Sequence, residues 1–424
     1  MSEHIFAGFG FGPIQAGLFA KEAFQSGNFR RIVVAEIDQR LVDAVRSNHG
    51  TYYVNVAGSD GIETVRIDGV ELFNPTDPCD AAALRAAIAE ATEITTCLPS
   101  VNSFDSDPTS GVAALIADGL RHRKSDATII YAAENHNHAA EILERAVTKR
   151  LGAPLAPRVQ FLNTVIGKMS QVVNDPREIS ARELAPIAPG FDRAFLVEAF
   201  NRILVTRTMI PGFVPGIGVF IEKADLLPFE EAKLYGHNAI HALLGFIGLL
   251  KGYGKMTELK ADARLMRVAR DAFIAESGGA LIRKYASLGD ELFTEAGYRQ
   301  YAEDLLDRMT NPYLADTTAR AARDVVRKLG VNDRIYGTMA LAIEYGIDPK
   351  NMAIGAMAGV ALLLSNAADP GLPRELHSLD WRTLDTQGLT QLLTYLWQTP
   401  ASPALHKLAD CTCRAGKSLA RLLA

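Results

Sequence analysis

The chain has 424 residues, with 44 Lys and Arg against 49 Asp and Glu, a formal charge of −5, 48% hydrophobic residues and 22% charged ones. That balance fits an ordinary globular protein of two domains and offers neither the basic footprint of a nucleic-acid binder nor a polybasic membrane patch. Four scattered cysteines (Cys79, Cys97, Cys411, Cys413) make no disulfide framework. The apolar runs 242–250 and 353–364 are shorter than the ~20 residues that span a bilayer. The start MSEHIFAGFG has no signal-peptide pattern, so a cytoplasmic location is expected.

In chain order, residues 4–8 form a short apolar run ending in glycine, and 13–26 have helical spacing. A buried strand at 31–35 and a helix at 37–47 follow. The stretch 58–73 breaks the alternation and reads as an antiparallel excursion. Helices at 81–91 and 111–122 then alternate with strands at 93–98 and 127–132. Strands alternating with helices predict a parallel sheet covered on both faces. From about Phe195 the pattern becomes 3.6-residue periodicity, over 195–205, 229–251, 259–285, 295–308, 317–329, 334–345 and 351–365. The predicted fold is therefore an α/β Rossmann-type N-terminal domain, residues 1–190, followed by a mostly α-helical C-terminal domain, residues 191–424.

Gly8, Gly10 and Gly12 lie between the first strand and the first helix, where glycines let a backbone approach a pyrophosphate at a helix N-terminus. The register is imperfect: one alignment puts Pro13 at the third glycine position and the other puts Gln15 there. A tight glycine turn explains the glycines equally well. Glu36, at the end of the second strand, is placed to accept from ribose hydroxyls and to repel a 2′-phosphate, which favours NAD over NADP; Arg40 nearby works the other way. Thr96 and Pro99 end another strand, where doubly wound sheets bind ligands.

The string Lys233-Leu-Tyr-Gly-His-Asn238-Ala-Ile-His241 carries the chemistry. At ~100° per helical residue, Lys233 and His241 lie about 80° apart and Asn238 about 60° beyond His241. A buried lysine with a depressed pKa can act as a general base, and an asparagine can polarise a carbonyl or alkoxide oxygen. From spacing alone a solvated polar face is the better reading, and spacing does not select between His237 and His241.

At these residues the chain resembles the long-chain polyol dehydrogenases, the mannitol-1-phosphate 5-dehydrogenase and mannitol 2-dehydrogenase family. That family has Lys-x4-Asn-x2-His here, matched by Lys233, Asn238 and His241, and an acidic-Asn pair matched by Glu134-Asn135. The segments 276–285, 311–314, 327–334 and 344–351 also look like the family's. The resemblance implies that Lys233 is the general base, that Asn135 and Asn238 hold the reacting oxygen, and that His241 positions the substrate. It implies substrate contacts for Arg323 and Lys328, and hydride transfer to NAD. The family's Val-Asp-Arg aligns with Ile166-Gly167-Lys168, so its aspartate is missing and Lys168 keeps a positive charge there.

The expected activity is NAD-dependent interconversion of a polyol or polyol phosphate with the keto sugar. No metal is expected, since His136 and His138 stand without further ligands. The expected partner is a small-molecule substrate, with no nucleic acid or membrane, and the protein is expected to be a monomer or weak dimer. The alternatives are a hydroxyacid or uronate-type dehydrogenase and a catalytically silent NAD-binding sensor.

Overall fold

The computed structural model describes residues 4–365, 376 and 379–424. It divides into two compact units, Met1–Leu227 and Pro228–Ala424.

The first unit is built on an eight-stranded sheet. Its strands are β1 (His4–Phe9), β2 (Phe29–Ala35), β5 (Val70–Phe73), β6 (Glu93–Thr96), β7 (Thr128–Ala132), β8 (Val159–Ile166), β11 (Ile203–Thr206) and β12 (Phe220–Lys223), in the order β12-β11-β8-β7-β6-β1-β2-β5. All neighbours are parallel except β8 and β11. Strand β1 explains why the sheet is covered twice. Phe6 belongs to one core cluster, while Ile5, Ala7 and Phe9 belong to another. Successive side chains point to opposite faces, so a strand buried throughout needs helices on both sides. A smaller sheet holds β3 (Tyr52–Ala57), β4 (Ile62–Ile67), β9 (Ser170–Val173) and β10 (Ala194–Glu198), in the order β4-β3-β10-β9. The antiparallel β3–β4 pair is the excursion expected within 58–73, begun a few residues earlier.

Two expectations need correction. Residues 195–205 are not a helix: they contribute to β10 and β11. Residues 191–227, assigned from sequence to the helical part, supply strands to both sheets of the first unit, so the compact unit ends at Leu227. A short apolar run such as AFLVE or ILVT has no period long enough to separate helix from buried strand.

The second unit is helical among the described residues. Helix Lys350–Ser365 is buried from Asn351 through Leu363 and packs against Ala239–Leu250 and Pro403–Leu423. Glu276, only 2% exposed, secures its start. Its carboxylate accepts from the backbone N–H of Asn351 and Met352, both at 2.8 Å, and from Asn351 Nδ2 at 2.7 Å. A negative group there also meets the positive end of the helix dipole.

Burial raises the Glu276 pKa from 4.5 to about 7, against the opposing pull of those hydrogen bonds. The folded value lies above the unfolded one. The associated stability is therefore complete below pH ~4.5 and lost as pH rises through ~7, a swing of about 3 kcal/mol. Denaturant unfolding of the wild type and Glu276→Gln across this window should show the wild type losing that amount relative to the variant. Parallel pH curves for the two proteins would contradict the assignment.

Among the described residues three helices contain π turns: Gln15–Ala20, Ala232–Asn238 and Ala272–Gly278. The expected helix at 259–285 is thus a 3-10 turn (Met256–Ala261), then α (Ala263–Asp271), π and α (Gly279–Lys284) segments. The expected helix at 317–329 breaks into Thr318–Ala322 and Val325–Lys328 around Asp324, which has φ 58°.

Candidate active site and cofactor-binding residues

In the first unit the chain runs from β1 outward through β2 and β5, then returns to β6 on the other side of β1. The carboxyl ends of β1 and β6 therefore flank a topological switch point, where open α/β sheets bind ligands. Gly10 sits there with φ 82°, and a Cβ on it would lie 2.8 Å from the Cys97 carbonyl oxygen at the end of β6. Gly8 lies within β1, where a Cβ would come within 2.2 Å of Gln15 Nε2. Gln15 is fully buried and accepts from Thr95 Oγ1 at 2.9 Å. This resolves the awkward register: the third fingerprint glycine normally lets helix and strand approach closely. Here a glutamine enters from the helix and the strand supplies the glycine that admits it.

These residues fit a dinucleotide. A Cβ on Gly12 would meet nothing within 4 Å, so space remains beside the turn where the helix begins. Glu36 accepts from Phe11 N at 2.7 Å through one oxygen and from Asp38 N at 2.8 Å through the other. A carboxylate has about four acceptor positions, so two remain for ribose hydroxyls. Ile37, 74% exposed beside Glu36, offers an apolar face for a flat base that sequence reasoning had not singled out. Arg40 pairs with Asp192 at 2.9 Å, and Arg193 pairs with Asp38.

Thr96 is buried and gives its hydroxyl to Glu134 Oε2 at 2.9 Å, while Glu134 Oε1 accepts from Leu98 N at 2.8 Å. Its side chain thus braces the end of β6, next to exposed Pro99. Burial raises the Glu134 pKa despite these hydrogen bonds. Asn135 follows at the exposed end of β7. Lys168 is buried and donates to the Phe200 carbonyl at 2.7 Å. Gly167 is not dictated by packing, since a Cβ there would meet only Phe200 Cε1 at 3.7 Å.

In the second unit Lys233, Asn238 and His241 share one helical stretch, 227–250, and its π turn spans Ala232–Asn238. The 100° wheel used above does not apply within it. A π-helix, with its i→i+5 hydrogen bonds, holds more residues per turn than an α-helix, so the five-residue step from Lys233 to Asn238 is only a little over one turn and brings the two nearer one side, and His241 follows about one α turn later. Gly236 makes this possible: a Cβ would lie 2.8 Å from both Phe273 Cε2 and Tyr298 Oη. Phe273 belongs to the π turn Ala272–Gly278, so two irregular turns pack on each other.

Desolvation lowers the Lys233 pKa to about 8; Glu230 opposes this and Arg334 assists it. Arg334, 8% exposed, also depresses Lys328, whose pKa falls to about 8 chiefly through burial. Lys328 donates to the Ala321 carbonyl at 2.7 Å. Arg323 is exposed, 4.0 Å from Asp324. The two histidines are now distinct. His237 is buried, with its pKa driven well below 6.5 by desolvation and then by His241. His241 is partly exposed and bonds to Asp316. Among the described residues no group of three or more His, Cys, Asp or Glu could hold a metal ion. No helix among them is long and apolar enough to cross a membrane.

Residues 225–388 match the mannitol dehydrogenase C-terminal domain family. Over 357 residues the chain is 28% identical to mannitol-1-phosphate 5-dehydrogenase of Buchnera aphidicola, covering 82% of this chain and 84% of that protein. The chain is therefore similar to the polyol dehydrogenases over most of its length. The fold of the chain is similar to that of Pseudomonas fluorescens mannitol 2-dehydrogenase, solved as a ternary complex with NAD and D-mannitol. The TM-score is 0.68 at 18% identity, covering 100% of this chain and 94% of that one. A substrate-free D-sorbitol dehydrogenase gives 0.72 at 18% identity, covering 96% and 95%. The Rossmann-type N-terminal part and the helical C-terminal part expected from the sequence are the fold of these solved structures.

Sequence reasoning missed Asp316, Arg334 and the bracing role of Glu134. Asp316 stands 75 positions from His241, and no local pattern links them.

Proposed function

We propose that this protein is a polyol dehydrogenase that uses NAD to interconvert a polyol phosphate and its keto sugar, with Lys233 as a metal-independent general base. The observation that carries the reading is the desolvated Lys233, brought to about 8 and sharing one π turn with Asn238. An amine titrating near neutrality takes a hydroxyl proton in one direction and returns it in the other. Asn238 donates to the oxygen as it gains negative charge. His241 orients a neighbouring hydroxyl. Bound NAD supplies the hydride acceptor. Lys328, Arg323, Arg327 and Arg334 favour a phosphorylated substrate: their mutual repulsion contributes to lowering Lys328, and an anionic group would relieve it. The reading is tested by following NAD reduction with matched polyols and polyol phosphates in chelator-treated protein. Phosphate-dependent turnover is expected. Turnover that needs added metal, or that ignores the phosphate, would overturn the corresponding part.

Glu36 is proposed to select NAD. Glu36→Ala removes a charged acceptor worth about 1–3 kcal/mol, so the Kd for NAD should rise roughly 10- to 100-fold, with NADP affected far less because Arg40 and Arg193 remain. Fluorescence titration of both cofactors measures this, and an unchanged NAD/NADP preference would rule the assignment out.

A further inference from the structure

We infer that Asp316 fixes which ring nitrogen of His241 carries the proton, and so acts as a positioning residue for the reaction; this rests on the reading of His241 as the side chain that orients the substrate. Asp316 is 5% exposed, and its Oδ2 lies 2.8 Å from His241 Nε2. Its other oxygen is already committed, accepting from Thr317 N at 2.9 Å and from Arg320 Nη1 at 2.8 Å. Its carbonyl accepts from Met256 N at 2.9 Å, which pins the backbone as well.

Burial alone would raise the pKa of such a carboxyl, but the His241 hydrogen bond and the charges of His241 and Arg320 bring it to about 2. Asp316 therefore stays ionised at any working pH. A carboxylate only accepts hydrogen bonds, so His241 Nε2 must carry a proton. In the neutral ring the lone pair is then on Nδ1, and His241 meets a substrate hydroxyl as an acceptor. The neighbour of the partner, as well as the partner itself, sets the polarity of the ring.

Asp316→Asn tests this with little change of shape. Thr317 N and Arg320 both require an acceptor, which holds the amide oxygen on their side and turns the NH2 toward His241. Nε2 must then accept, the proton moves to Nδ1, and His241 confronts the hydroxyl as a donor. In the full-length protein kcat/KM for the polyol substrate should fall ~10²-fold, while the Kd for NADH stays within about twofold. Nitrogen NMR of His241, assigned by its loss in His241→Ala, should show the lone pair moving from Nδ1 to Nε2. Asp316→Glu restores an acceptor and should return the Nε2–H tautomer with partial recovery of kcat/KM. It also reads the tautomer if Asp316→Asn does not fold.

An unchanged tautomer in Asp316→Asn, or a switched tautomer with kcat/KM within twofold of wild type, would overturn the inference. A His241→Ala variant with undiminished kcat/KM would instead overturn the reading of His241 beneath it.

Discussion

Lys233→Met is expected to lower kcat for polyol oxidation by about 10³-fold or more while leaving NADH affinity within about twofold. Methionine is a good helix former of similar length, so the π turn keeps its filling and only the base is removed. The wild type supplies the matching pH signature. Oxidation requires the neutral amine, so its kcat should rise as pH increases through about 8 and level off above. Reduction of the keto sugar requires the ammonium form and should decline over the same interval. The variant's residual rate should lose this feature in both directions. Its stability should be undiminished, because a desolvated cation beside Arg334 is removed. Steady-state rates across pH, with NADH binding by fluorescence, check all of this. Loss of NADH binding in parallel with turnover would make the residue structural.

Gly236→Ala should have the second largest effect, on both stability and turnover. The added methyl would lie 2.8 Å from Tyr298 Oη and from Phe273 Cε2, and neither neighbour is the free end of a flexible chain. Tyr298 is fully buried, its hydroxyl bonded to Ser277 at 3.0 Å. Overpacking of this kind costs about 1–3 kcal/mol. If the helix yields instead, the π turn relaxes, and Lys233 and Asn238 lose their common side. A drop in kcat of roughly 10²-fold with nearly unchanged NADH affinity is the expected result. Gly236→Ala combined with Tyr298→Ala opens space for the methyl and should restore part of the lost turnover relative to Gly236→Ala alone. Thermal melts and kcat for the single and double variants decide between this and a turn that tolerates the methyl.

Much of the fold was legible because its signals are local. The alternating strands and helices of residues 4–132 follow hydrophobic period and turn residues, and the central helix Lys350–Ser365 announces itself as a long apolar stretch. Residues 195–205 were misread because strands of four or five apolar residues carry no distinguishing period. The π turns leave no mark in a hydrophobic pattern, because one wider turn inside a helix hardly changes its period. The glycine-turn puzzle turned on a contact between Gly8 and Gln15 that only three dimensions display. Asp316 and Arg334 reach the chemistry through long-range packing, which no window of sequence contains.

The proposed reaction is nicotinamide-linked oxidoreduction of a sugar at Lys233. The most direct test is NADH oxidation by the wild type and Lys233→Met against fructose, fructose 6-phosphate, other ketose phosphates, fructuronate and tagaturonate. The account predicts strong turnover of a ketose phosphate by the wild type and almost none by the variant. NADH that binds but reduces no member of the panel, or equal rates for the two proteins, would contradict it.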